Sequence, residues 1–335
     1  MEQKFKSKPI VEAGIMSAII FVLMLLTTLP AIGVLIAFAI PIPIALLYLK
    51  YDLKTSLCSV LISGALVGLF MGPLYGVQVI ITNSIIGIVL GVCVKKNISG
   101  VKTLVSLIIA NTFGTIAELS IIFSAFTGMT IGQFADQIAG AFNDAAKISE
   151  SILGNTANAN TQMIEIMKSV NADMVLSFMP IAVVSLIVFR AFLNYVVGKA
   201  IIKRVGFNVN SLPPFSNWFF KPIIVAIVVL INTIVLYLTI KKIITGYGAF
   251  YTMLYVLYII LLIQGLSVVI NFLKNKLRMN SVLLAFLGIL MVTSEMSVVI
   301  LSLGIVDVLF DLRGVDPDSF GTYLRNKINA KLKNN

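Results

Sequence analysis

Apolar residues run along this chain in blocks of about 17 to 30, at 10–29, 31–49, 55–71, 74–94, 104–126, 174–202, 222–240, 249–272 and 281–310, parted by short polar segments. A hydrocarbon core about 30 Å thick takes roughly 20 residues of helix to cross, and lipid offers no partner to an open peptide group. The pattern therefore predicts an all-α, polytopic transmembrane helix bundle of about nine spans, within a range of eight to ten. The last block is interrupted at Thr293-Ser294-Glu295. One uniform span there would strand Arg313, Arg325, Lys327, Lys331 and Lys333 on the side opposite the other basic segments, so two short helices broken at this point are the favoured form.

The segment 127–173 has a different rhythm. Ile131, Phe134, Ile138, Phe142, Ala145, Ile148 and Ile152 recur at three- and four-residue steps, with Asp136, Asp144 and Glu150 off that stripe, which predicts an amphipathic helix lying on a membrane face. The polar run Gly154–Asn160 breaks it, and a second short pattern passes through Ile164, Met167 and Val170. Such a segment is either a cap resting on the bilayer or on helix ends, or a lid over a pocket.

Charge orients the bundle. Segments 1–9, 50–55, 95–103, 199–221 and 273–280 hold fifteen Lys and Arg, while the other side holds Lys147, Lys168, Lys241 and Lys242. The excess predicts a cytoplasmic amino terminus. It also accounts for the net charge of +11 through topology and anionic lipid, so no nucleic-acid partner is expected. The first block, continuous from Ile10 to Leu29, is longer than the apolar part of a secretory signal and is read as a retained helix.

With 59% hydrophobic and 12% charged residues spread evenly, the chain has no room for a large soluble domain. Histidine is absent, which removes His-based metal sites and Ser-His-Asp or Cys-His catalysis. Cys58 and Cys93 both lie within apolar blocks, so no disulfide framework is expected. Gly198-Lys199 is followed by Ala200 and has no spaced glycine before it, so no Walker A loop is present. The expectation is a protein that is not an enzyme and has no catalytic residue, metal or cofactor.

Polar residues at membrane depth are the candidate site. Glu118 lies 14 residues into the fifth span and Arg190 12 residues from the end of the sixth at Ile202, placing them about 21 Å and 18 Å up at 1.5 Å per residue. Matched heights predict an ion pair, either structural or also touching a charged ligand. Asn83 and Asn111 are further ligand or helix-bonding candidates, Glu295 and Asp307 are candidates to line a cavity near the break, and Gln264 and Asn194 are ambiguous. Small residues form ladders that predict close helix contacts: Gly64, Gly68 and Gly72 on the third span, Gly87 and Gly91 on the fourth, Gly14 and Ala18 on the first. A ladder on the first helix serves equally for docking another protein.

Several short motifs together resemble a known family. Val11-Glu12-Ala13-Gly14 opening the first span, Pro41-Ile42-Pro43, Gly72-Pro73, Leu212-Pro213-Pro214-Phe215 before Trp218, and Gly304-Ile305-Val306-Asp307 through Phe310-Asp311-Leu312-Arg313 are similar to the YybS-like family (DUF2232) of bacterial membrane proteins, over nearly the whole chain. That family is in turn distantly similar to the S-components of energy-coupling-factor transporters. The resemblance implies a six-helix core within 1–204 that includes the segment 127–173, with further transmembrane helices over 205–312 and a basic tail over 313–335. It implies an inner-membrane protein that binds a small molecule from outside, lacks its own ATPase, and docks through Gly14 and Ala18 on a transmembrane coupling subunit with ATPases. The alternative is a non-transporting scaffold that recruits a partner enzyme or complex.

Overall fold

In the computed structural model, which describes residues 7–153, 158–244 and 246–333, the regular elements are all helical. Lys4, Lys6 and residues 154–157 of the expected polar break lie outside the described residues. Eight stretches are long and apolar enough to cross a membrane: Lys8–Leu26, Ile32–Lys50, Leu53–Met71, Pro73–Lys95, Gly100–Ser124, Ala172–Arg204, Pro222–Ile240 and Gly248–Lys276. The ninth expected block is a bent pair, Val282–Thr293 and Ser297–Phe310, turned through 104° at the Thr-Ser-Glu break.

The chain forms two compact units. Unit 1 comprises residues 1–175 and 182–212, unit 2 residues 176–181 and 213–335. The first holds α1 (Ser7–Leu26), α2 (Ile32–Ala37), α3 (Pro41–Lys50), α4 (Leu53–Met71), α5 (Pro73–Gln78), α6 (Ser84–Lys95), α7 (Gly100–Ile121), α8 (Ile131–Leu153), α9 (Asn158–Ser169) and most of α10 (Ala172–Arg204).

Local chemistry explains where these helices start and break. Asp52 caps α4 by accepting from the Thr55 amide at 2.8 Å, and Asn171 caps α10 through the Met174 amide at 2.9 Å. The second span is split into α2 and α3 because Pro41 and Pro43 have no N–H to give the preceding turn. The fourth span contains a π-helical turn, Val79–Asn83, and the fifth ends in another, Ile122–Thr127. Such turns carry an extra residue that redirects side chains and recur at functional sites.

Two buried clusters hold unit 1 together. Ile20, Met24, Ile44, Val60 and Val67 join α1, α3 and α4, while Ile42, Ile86, Leu90, Leu107 and Tyr195 join α3, α6, α7 and α10. The glycine ladders divide by role. A Cβ on Gly87 would fall 2.5 Å from the Pro41 carbonyl oxygen and one on Gly91 3.2 Å from that of Ala45, so this ladder seats α6 on α3. Gly64 faces Ile80, at 2.3 Å from the same test atom, and Gly68 faces Gly76. Gly72 does not continue that ladder: it has φ +110°, has nothing within 4 Å, and forms the turn into α5. Gly14 also meets nothing within 4 Å, and with Ala18 it lies on the exposed face of α1.

The amphipathic segment folds as α8 and α9, packed on each other through Asn143, which donates to the Val170 carbonyl at 3.3 Å, and a Lys168–Glu150 ion pair at 2.7 Å. The buried line of α8 is Ala135, Ala139 and Ala146, whereas Ile131, Phe142 and Ile148 of the expected stripe are exposed. Small side chains form the buried line of this helix, with Phe134 packed edge-on against Phe123 and these three large apolar residues facing outward.

Unit 2 is built from α11 (Pro222–Ile240), α12 (Gly248–Lys276), the bent pair α13 (Ser281–Thr293) and α14 (Ser297–Phe310), and α15 (Phe320–Lys333). Here α12 and α14 touch backbone to backbone. A Cβ on Gly265 would lie 1.8 Å from the Ile300 carbonyl oxygen, and one on Gly304 2.0 Å from that of Leu261.

Candidate functional site

One feature of unit 1 suited to a ligand is a cavity of about 330 Å³ at the end where the first span joins the second and the third joins the fourth. Met24 and Thr27 come from the end of α1, Gly33, Ala37 and Phe38 from α2 and the break after it, Gln78 and Asn83 from the π-helical region, and Leu186, Arg190 and Asn194 from α10. Two of the walls are shaped by backbone irregularities. At the Pro41 break the Ile42 amide turns to Ala39 instead of Phe38, and the released Phe38 carbonyl accepts from Asn194 Nδ2 at 3.2 Å. The π-helical turn brings Asn83, only 4% exposed, to the opposite wall.

Two of the expected residues, Asn83 and Arg190, meet in this cavity. Glu118 does not pair with Arg190: among the described residues no ion pair joins them, and the Glu118 carboxylate instead accepts from the Thr82 hydroxyl at 2.8 Å. Thr82 packs on Gly114 and also donates to its carbonyl at 3.2 Å, so Glu118 braces the π-helical turn next to Asn83. Asn111 is fully buried on α7, where its amide donates to Leu107 at 2.9 Å while its oxygen has no partner, and it is not among the cavity's lining residues. Asn194, ambiguous in the sequence, lines the cavity with its side-chain oxygen unpartnered.

Near the break in unit 2, Asp307 is not among the residues that line the cavities described and is held in a bonded network instead. It is wholly buried, and its carboxylate accepts from Arg313 at 2.8 Å, Gln264 at 2.5 Å and the Leu312 amide at 2.9 Å. Arg313 is not a tail charge either. Its side chain is 4% exposed and donates to the carbonyls of Ser216 at 2.7 Å and Trp218 at 2.8 Å and to the Ser267 hydroxyl. Two sequence motifs thus meet, since the Pro213–Trp218 loop supplies the oxygens that the Asp307–Arg313 pair needs. Asp311, at φ +43°, turns the chain and accepts from Val315, Asp316 and Ser319. Glu295 is exposed at the apex of the bend. A buried network of this kind, in which the Arg313 Nε alone lacks a partner among the described residues, specifies structure rather than binds cargo.

Comparison with known proteins agrees with the architecture. The chain is 24% identical over 313 residues to "Uncharacterized protein YybS" of Bacillus subtilis (strain 168), covering 92% of this chain and 98% of that protein. No solved structure matches. The family described as "Predicted membrane protein (DUF2232)" matches residues 18–308, a stretch that takes in the cavity of unit 1 and Asp307 of unit 2 but stops short of Arg313. With eight helices long and apolar enough to cross a membrane and a family match over most of its length, this chain belongs to the DUF2232 family of membrane proteins.

Proposed function

We propose that this protein is a small-molecule-binding membrane subunit that works as S-components do, taking its ligand into the cavity of unit 1 and relying on a separate coupling subunit with ATPases for energy. The observation that carries this reading is the cavity itself. At about 330 Å³ it sits in the range of roughly 300–1,000 Å³ usual for small-molecule sites, and it combines apolar walls with a few converging polar groups. Proline-broken and π-helical backbone at membrane depth is tolerated where it lines such a space. The reading is for binding and not for catalysis.

The exposed Gly14 and Ala18 face of α1 is the docking surface in this scheme. Gly14→Leu or Ala18→Leu should leave the melting temperature of the solubilised protein nearly unchanged while abolishing co-purification of a coupling subunit. The deciding experiment is isolation of the full chain in lipid nanodiscs and mass spectrometry of what accompanies it. A transmembrane subunit with ATPases supports the proposal, whereas a lone soluble or membrane enzyme held through the same face would favour the scaffold.

Orientation in the bacterial inner membrane follows from the basic segments, with the amino terminus cytoplasmic and the cavity and α8–α9 outside. In a background lacking Cys58 and Cys93, single cysteines at 136–165 should react with a membrane-impermeant maleimide in intact cells, and those at 205–217 should not. The reverse pattern would invert the topology and remove an outward-facing site.

A further inference from the structure

We infer that the cavity of unit 1 takes a small soluble organic anion, its carboxylate or phosphate group held by Arg190 and a donor of the same molecule by the side-chain oxygen of Asn194. This rests on the small-molecule reading above and names its ligand class. Arg190 is half-buried at membrane depth, and among the described residues no carboxylate pairs with it. A guanidinium so placed is costly unless an oxyanion meets its planar fork of donors. The lining holds no acidic side chain, and the nearby Glu118 is already engaged by Thr82.

Asn194 adds an independent observation. It lies one turn from Arg190 on the same helix face and is 4% exposed, with its Nδ2 committed to Phe38 and its Oδ1 bonded to nothing. A buried amide oxygen without a donor is rare, and a ligand N–H or O–H would satisfy it. Cation and acceptor a turn apart therefore call for an anionic group and a donor a few bonds from each other. Phe38 and Leu186 offer the apolar surface for the rest of the molecule.

The test is thermal unfolding of the full chain in phosphatidylcholine nanodiscs, titrated with 3-hydroxybenzoate, 3-hydroxyphenyl phosphate and the neutral 3-hydroxybenzamide, each of which carries an O–H for Asn194. Either anion should raise the melting temperature saturably and the benzamide should not. Arg190→Gln should weaken the apparent affinity by about 10- to 100-fold, as expected for losing hydrogen bonds to a charged group. Should that variant fold poorly, Asn194→Asp supplies an internal carboxylate beside Arg190 and should block the anions equally. If the benzamide binds as well as the anions, and Ala37→Trp abolishes all three, the small-molecule site stands and its anionic character is overturned. If none of the probes acts on the wild type, the anion site is overturned, while the small-molecule reading stands or falls on what accompanies the chain in nanodiscs. If Arg190-dependent stabilisation appears only when phosphatidylglycerol replaces phosphatidylcholine, the anion is a lipid headgroup, which overturns a soluble ligand.

Discussion

Arg313→Gln is expected to lower the stability of the solubilised protein by about 3–5 kcal/mol, the usual effect of removing one partner of a buried ion pair. The loss comes from what stays behind. Asp307 is wholly buried, and without the guanidinium its charge is left with only Gln264 and the Leu312 amide as donors. Asp307→Asn should cost less, because Arg313 keeps the Ser216 and Trp218 carbonyls and the Ser267 hydroxyl. The double variant should be more stable than Arg313→Gln alone. A thermodynamic cycle over the four proteins, followed by reversible unfolding in detergent, measures the coupling. Strictly additive losses would mean that the pair contributes nothing as a pair.

Gly265→Ala should destabilise unit 2 by about 3 kcal/mol or more, at or beyond the upper end for overpacking. The added methyl would sit 1.8 Å from the Ile300 carbonyl oxygen, and backbone cannot rotate out of the way as a side chain can. To restore an ordinary contact, α14 would have to move off α12, taking Asp307 away from Gln264. Gly304→Ala presents the reciprocal clash at 2.0 Å from the Leu261 carbonyl and should behave alike. Gly288→Ala on α13 is the control, since its methyl would meet Ile270 at an ordinary 3.7 Å and should be close to neutral. Equal melting temperatures for Gly265→Ala and Gly288→Ala would refute the close packing of α12 on α14.

The spans were legible because crossing a bilayer is a one-dimensional demand: a long enough apolar block must be helix wherever its neighbours lie. The broken ninth block was legible for a related reason, as Ser294 and Glu295 interrupt an apolar run that would otherwise be uniform. What escaped was rotation about the helix axis. Counting residues placed Glu118 and Arg190 at similar heights, but height says nothing of azimuth, and Glu118 faces Thr82 instead. Gly265 and Gly304 gave no signal because each is a single glycine without a second small residue four positions away to form a ladder. Arg313 looked like a tail charge because it follows the last apolar block. Only the left-handed turn at Asp311 returns it beneath α14. Asn194 was visible as a polar residue in a span, but its unpartnered oxygen depends on where Phe38 lies, 156 positions earlier.

The bent pair also bears on how the protein is made. At 13 and 14 residues its arms extend about 20 Å each, too short for either to be released into the bilayer as an independent span. The two must enter together against α12, and α14 carries the Asp307 carboxylate with it. Its counter-charge, Arg313, lies six residues further along the chain, so a chain that stops short of it is held at a stage in which the acid has no guanidinium partner. Chains terminated between 308 and 312 would be held at that stage, and membrane proteases should clear them while a chain ending shortly after Asp316 escapes.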